Sequence, residues 1–159
     1  EMERNGGLIT LEDLKNYNVA ERQPLVGSYK GYEIVSMPPS SSGGTHLIQM
    51  LNMLEEFPVK EMGFGSADTI HILAEVMKRA YADRSKYLGD SDFYKVPSSL
   101  TSIKYAISLN NDISLDKVTP SEDVSPGDPY PYESPDTTHF SVMDSYGNAV
   151  SNTYTLNFS

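Results

Sequence analysis

Cysteine is absent from this 159-residue chain. That removes thiol nucleophiles, disulfides and thiolate metal sites. It leaves the compartment open, because reduced cytosol and a disulfide-free periplasm both accommodate such a chain. Positive charge is scarce: 12 Lys and Arg stand against 22 Asp and Glu, a formal net charge of −10, and nowhere do the basic residues cluster. Nucleic acid requires a basic footprint and an anionic membrane surface attracts one, so both partners are disfavoured and the charge serves solubility. No apolar run approaches the roughly 20 residues of a membrane-spanning helix, and the opening Glu1-Met2-Glu3-Arg4-Asn5 carries no apolar signal region. The three histidines, His46, His71 and His139, show no metal-ligand spacing. Neither a Ser/His/Asp order nor a Gly-x-Ser-x-Gly elbow occurs, and there are no internal repeats. No metal or cofactor is expected.

What is present reads as a mixed helix and strand chain, long enough for one domain or part of a larger one, with an ordinary apolar share of 38%. Thr10 before Leu11-Glu12-Asp13-Leu14 caps a short helix with acidic residues in its first turn. Leu25–Tyr29 and Tyr32–Met37 are two strands around Lys30-Gly31. Pro38-Pro39-Ser40-Ser41-Ser42-Gly43-Gly44 leads into a helix expected to bury Leu47, Ile48, Leu51 and Leu54. The Ser-Gly stretch could bind an anion through bare amides, but it lacks a P-loop lysine, and close backbone packing is the plainer reading. Gly63-Phe64-Gly65 is a turn, and Ser66 caps the longest helix, to about Lys86, expected to bury Ile70, Leu73, Met77 and Ala80. Asp83, Arg84 and Asp90 suggest a structural ion-pair network at its end, and His71 a packing or capping role. A short helix follows around Leu100–Leu109. From there to Asp136 the pattern dissolves into a proline-rich, acidic, exposed connector, long enough to need a functional reason.

Asp136-Thr137-Thr138-His139-Phe140-Ser141-Val142-Met143-Asp144 is the most informative stretch. A threonine between a cuttable loop and a strand suits a protein that cleaves itself and then uses the new terminal threonine, whose α-amine lies beside its own hydroxyl as general base. The ordinary alternative is β-propensity at a strand start. Ser145-Tyr146-Gly147 has the form of a three-residue hairpin loop, which pairs Asp144 with Asn148. Counting outward places Thr137 opposite Thr155 on one face; a slip of one residue would separate them.

These residues together carry a resemblance. Gly6-Gly7-Leu8-Ile9-Thr10-Leu11-Glu12-Asp13-Leu14, Ser36-Met37-Pro38-Pro39-Ser40-Ser41-Ser42-Gly43-Gly44, Tyr81-Ala82-Asp83-Arg84-Ser85-Lys86-Tyr87-Leu88-Gly89-Asp90, and Thr137–Val142 running on through Gly147–Val150 to Thr153–Asn157 resemble the bacterial γ-glutamyltranspeptidases (glutathione hydrolases). The order and spacing match over nearly the whole chain. The related cephalosporin acylases are the nearest competitor.

The resemblance implies an α+β chain, part of an N-terminal-nucleophile hydrolase αββα sandwich. It implies that residues 1–136 are the C-terminal part of a large subunit, with 109–136 an exposed connector before the cleavage site. Residues 137–159 are then the start of a small subunit, the two subunits of one precursor forming a heterodimer. Thr137 carries over as the nucleophile of self-cleavage and of catalysis, Thr155 as the hydroxyl that assists it, and Asn157 as a contact to the α-amino end of a γ-glutamyl group. Asp136 stands before the scissile bond where many members have Asn or Gln, and Asn152 replaces a more usual apolar residue. The implied partners are glutathione or other γ-glutamyl compounds, with an amino acid, a peptide or water as acceptor. The implied location is periplasmic or secreted. The family's carboxylate-binding arginine is expected upstream of Glu1, and its oxyanion glycines downstream of Ser159. The isolated piece is therefore expected to be inactive. An amide acylase, or an inactive structural fragment, remains the alternative.

Overall fold

The computed structural model describes residues 1–132, together with the backbone of strands Thr137–Met143 and Ala149–Thr155. Helix α1 (Leu11–Asn16) begins with a reciprocal cap: the Asp13 amide donates to the Thr10 hydroxyl at 3.1 Å, and the Thr10 amide donates back to the Asp13 carboxylate at 2.8 Å. The Thr10 hydroxyl, which donates to the Asp13 carboxylate at 2.6 Å, and then the Thr10 amide hold Asp13 below the usual carboxylate range. Strands β1 (Leu25–Tyr29) and β2 (Tyr32–Ser36) form an antiparallel hairpin in which Tyr29 pairs with Tyr32. Its two turn residues take positive φ, 48° at Lys30 and 83° at Gly31, as a two-residue hairpin turn requires. Lysine tolerates the position because Glu55 holds it: the Lys30 amide donates to Glu55 Oε2 at 3.0 Å, and its ammonium to the Glu55 carbonyl at 2.7 Å.

That clamp joins the hairpin to the end of helix α2 (Ser42–Leu54). The start of α2 is set by close packing. A Cβ on Gly44 would strike the Met37 carbonyl, so the glycine lets the helix backbone lie against the end of β2. The Ser-Gly stretch is a packed helix entry, with Ser41 accepting from the Gly43 amide at 3.1 Å. After a single turn, α3 (Val59–Met62), comes the 21-residue helix α4 (Ala67–Tyr87), capped by Ser66. A 3₁₀ turn at Ser98–Thr101 leads to α5 (Ile103–Asn110). Helix α2 packs on both α4 and α5. One core cluster gathers Met53, Leu54, Ile72, Val76 and Ala106, and a second gathers Tyr87, Leu100 and Tyr105. Strands β3 (Thr137–Met143) and β4 (Ala149–Thr155) form a second antiparallel pair. The architecture is α+β. Among the described residues no helix is long and apolar enough to cross a membrane.

Two expectations for the helices need correction. On α4, Ala80 is buried, but Ile70, Leu73 and Met77 are 59%, 37% and 45% exposed. The buried face instead carries Ile72, Val76 and Ala80 with the polar Thr69, Glu75, Arg79 and Asp83. The helix has two candidate apolar stripes, and α2 and the connector supply partners for the polar groups beside one of them. On α2, Ile48 and Leu54 are buried and Leu51 half-buried, whereas Leu47 is exposed and His46, Gln49 and Asn52 take interior places. Asn52 is satisfied there by donating to the Thr101 carbonyl at 2.8 Å.

The buried charge on α4 is a triad. Glu75 accepts from Lys78, from Arg79 at 2.8 Å and from the Thr119 amide at 2.9 Å. Burial alone would raise its pKa, but the bonds from Lys78, Thr119 and Arg79 outweigh burial and hold it down at about 2. A depressed carboxylate stabilises the fold above its unfolded value, and that stability is lost as pH falls through the folded value. Unfolding measured against pH should therefore show a loss between about 4.5 and 2 that Glu75→Gln abolishes. The loss at the acid end should be on the order of 3 kcal/mol. Gly44→Ala should destabilise by about 1–3 kcal/mol through its collision with Met37, read from denaturant midpoints at unchanged slope.

Candidate active site and its approach

The β3–β4 register brings two of the sequence-derived candidates together. Thr137 pairs with Thr155, Thr138 with Tyr154 and His139 with Thr153, and the ladder closes at Met143 opposite Ala149. This is the register counted from the hairpin loop. Residues directly opposite in an antiparallel pair share a face of the sheet. Asp136, Asn157 and the expected loop Ser145–Gly147 lie outside the described residues.

The connector that leads toward Thr137 is exposed along most of its length, yet it is not loose as far as Tyr132. It is laid along α4. His71 donates to the Ser114 carbonyl at 2.7 Å, which makes this histidine a clamp on the connector. Arg79 donates to the Asp112 carbonyl at 3.0 Å. Glu75 and Lys78 hold the Thr119 amide and carbonyl respectively. Asp83 accepts from the Gly127 amide at 2.8 Å, and Tyr87 donates to the Gly127 carbonyl at 2.6 Å. Beyond Gly127, Pro129 is fully buried, Tyr130 meets Tyr87 edge-on at 5.9 Å, and Tyr132 meets Tyr105 at 5.6 Å. A cavity of about 570 Å³ remains under this strap, lined by Arg79, Tyr105, Asp112, Asp123, Gly127 and Tyr132.

Asp83 is the centre of this arrangement, and the ion-pair expectation for Asp83, Arg84 and Asp90 fails. Asp83 is fully buried and is held by neutral donors: Gln49 and the Tyr105 hydroxyl (2.7 Å) on one oxygen, the Gly127 amide on the other. Burial, and then the bond to Asp83, push the Tyr105 phenol upward, so it stays a proton donor. Arg84 points the other way: it is exposed, forms no ion pair among the described residues, and stands over the Tyr81 ring at 5.9 Å. Asp90 is a turn residue, accepting from the Asp92 amide at 3.0 Å.

The network also sets a histidine. The Gln49 amide nitrogen faces Asp83, so its oxygen faces His46 Nδ1 at 2.8 Å, which must then carry the proton. Burial lowers the His46 pKa, against the opposing bond to Gln49, and Nε2 has no partner among the described residues. No group of three His, Asp or Glu side chains that could hold a metal assembles among the described residues.

Sequence reasoning missed Gln49, Glu75, Lys78, Arg79, Tyr105 and Gly127. A signal was available in His71, Glu75, Arg79, Asp83 and Tyr87, five polar or amphipathic residues spaced four apart, each a neighbour of the next along the helix surface.

Comparison with known proteins places this geometry. The profile of the family described as gamma-glutamyltranspeptidase matches residues 1–159. The chain is 57% identical over 158 residues to the glutathione hydrolase proenzyme of Escherichia coli K12, covering 99% of this chain and 27% of that one. It is 45% identical to the acylase ACY 1 proenzyme of Pseudomonas sp. V22, over 98% of this chain and again 27% of the other. Among solved structures, Helicobacter pylori γ-glutamyltranspeptidase aligns with a TM-score of 0.76 at 54% identity, covering 79% of this chain and 36% of that one. The enzyme from Pseudomonas nitroreducens, solved with L-DON, aligns at 0.73 and 38% identity, over 79% of this chain and 38% of its own. The chain thus spans about a quarter of the length of the curated relatives named here. With a family profile matched end to end and the paired threonines in register, the chain belongs to the γ-glutamyltranspeptidase family, among the N-terminal-nucleophile hydrolases.

Proposed function

We propose that this chain carries the cleavage junction and nucleophile of a γ-glutamyltransferase and glutathione hydrolase. The observation that carries the reading is the Thr137–Thr155 pairing within a chain of this family. In the precursor, the Thr137 hydroxyl attacks the carbonyl carbon of Asp136. The C–N bond breaks, the acyl group moves to oxygen, and the Thr137 nitrogen takes a proton to become an amine. Water then hydrolyses the ester, leaving a carboxylate on Asp136 and a free Thr137. Residues 1–136 end the large subunit and 137–159 begin the small one, and the two remain together as a heterodimer.

In turnover, the same hydroxyl attacks the γ-carbonyl of glutathione or another γ-glutamyl amide. A γ-glutamyl ester forms and the amine leaves with the proton taken up by the Thr137 amine. Water or an amino-acid or peptide acceptor then releases the acyl group. Thr155 hydrogen-bonds the nucleophile, and Asn157 meets the α-amino end of the glutamyl group. The residues that would complete substrate binding belong to the rest of the precursor, so the isolated chain is inactive: loss of oxyanion donors alone costs at least ~10²-fold in rate. A periplasmic or secreted location belongs to the same reading.

One observation favours a second reading. The chain is as similar to the acylase ACY 1 proenzyme as to the Pseudomonas sp. A14 glutathione hydrolase, 45% identity in each case. Turnover of a β-lactam side-chain amide in place of a γ-glutamyl anilide would select the acylase.

Intact mass and N-terminal sequencing of the purified full-length protein should show two chains, the smaller beginning at Thr137. The Thr137→Ala precursor should stay a single chain without γ-glutamyl transfer, whereas Thr137→Ser should be cut and turn over more slowly. Processing of Thr137→Ala at the Asp136–Thr137 bond would refute the assignment. Thr155→Val keeps the strand shape but loses the hydroxyl, so kcat on a γ-glutamyl anilide should fall on the order of a hundredfold. An unchanged kcat would remove Thr155 from the mechanism.

A further inference from the structure

From Ser114 onward the connector climbs α4 in register with it. Ser114 sits beside His71, Thr119 beside Glu75 and Lys78, and Gly127 beside Asp83 and Tyr87. His71 and Tyr87 are about 24 Å apart along the helix axis, so the strap is led the greater part of the helix's length. Every one of these bonds ends on a main-chain atom of the connector. Ring contacts of Tyr130 and Tyr132 continue the attachment past Gly127. Only three residues then lie between Tyr132 and Asp136, a reach of at most about 14 Å.

We propose that this ladder on α4, with Asp83 and Tyr87 as its last hydrogen-bonded rungs, is a positioning device for self-cleavage. The inference rests on the reading that Thr137 cuts the bond to Asp136. The ladder's residues act at a distance from the reacting groups, by fixing where the chain starts its approach to the scissile bond and so limiting the conformations open to the residue before it. Released from the helix, residues 111–136 would run from the end of α5 to the scissile bond without these anchors; in the structure the attachment reaches Tyr132, four positions before Asp136. The Thr137 hydroxyl and the Asp136 carbonyl lie on adjacent residues, so their proximity needs no tether; the anchors instead reduce the conformational freedom that must be lost to align the carbonyl for attack.

The chemistry of Asp83 fits the task. Its partners are all donors, and a carboxylate is an acceptor only. Gln49 from α2 and Tyr105 from α5 hold the carboxylate in place, and the third donor, the Gly127 amide, is the attached strap. Gly127 is shaped for the seat as well, since a Cβ there would strike the Tyr105 hydroxyl and crowd Leu109.

The test is the first-order rate of self-cleavage of the full-length precursor, followed by intact mass. Tyr87→Phe removes one bond to the strap and keeps the ring that packs on Tyr130. Gly127→Ala lifts the strap from its own side without touching α4. Each should slow cleavage about threefold and the double variant about tenfold, the scale of part of one residue's backbone entropy per rung, with Asp83→Asn at least as slow as Gly127→Ala. Thermal midpoints of the uncut Tyr87→Phe and Gly127→Ala precursors should stay within a few degrees of the parent. Once cut, both should show parental kcat and KM on a γ-glutamyl anilide, which separates positioning from general damage. Cleavage at the parental rate in the Tyr87→Phe/Gly127→Ala double variant would overturn the proposal, as would slow cleavage matched by an equal fall in kcat of the mature enzyme. Cutting of a Thr137→Ala control would strike the self-cleavage reading itself, and this inference with it. An uncut control beside parental rates in the ladder variants would strike the ladder alone.

Discussion

One buried carboxylate ties the molecule together. Asp83 receives hydrogen bonds from α2, α5 and the connector while belonging to α4, so four segments distant in sequence meet at two oxygen atoms. A hydrogen bond to a charged group contributes more than a neutral one, about 1.5–3 kcal/mol. No cation stands among the three donors given to Asp83; dipoles of an amide side chain, a phenol and a main-chain amide solvate it instead. Loss of any donor leaves a charge poorly solvated in the interior, which costs more than the bond itself contributed. The remaining apolar clusters pack on either side of this point, one around Val76 and the other around Tyr87.

The Glu75 triad works differently. There the charges are opposite and adjacent on a single helix, and the connector adds the Thr119 groups and the Asp112 carbonyl. It is built on paired charges, whereas the Asp83 centre sets one carboxylate among neutral donors. The strap is therefore held by two sets of bonds of different make-up.

Local signals in the sequence were read well because their partners are close by. Thr10 and Ser66 cap helices through residues three positions away. Lys30-Gly31 makes a turn whose two strands must then pair in one way. The Thr137–Thr155 register followed from loop length and the two-residue period of a strand, which convert spacing directly into position. The failures all involve partners far away in the chain. Asp83 bonds Gly127, 44 residues on, and Gln49, 34 residues back. Helical periodicity locates an apolar stripe at Ile70, Leu73 and Met77, but cannot say whether a partner for it lies within these residues. Arg84 beside Asp83 looks like an ion pair on paper, yet adjacent residues on a helix point about 100° apart, one inward and one outward.

The bonds from α4 to the strap read the connector's main chain and ignore its side chains. Between Ser114 and Gly127 the identity of most residues is thus of little consequence to the attachment, and composition there can drift so long as proline avoids Thr119 and Gly127, whose amides are used. Length is another matter. One residue inserted between Thr119 and Gly127 shifts every later atom by about 3.5 Å against rungs that cannot move. The segment should accept substitution as a loop does and resist insertion or deletion as a helix does, a pattern of tolerance set by the helix beneath it.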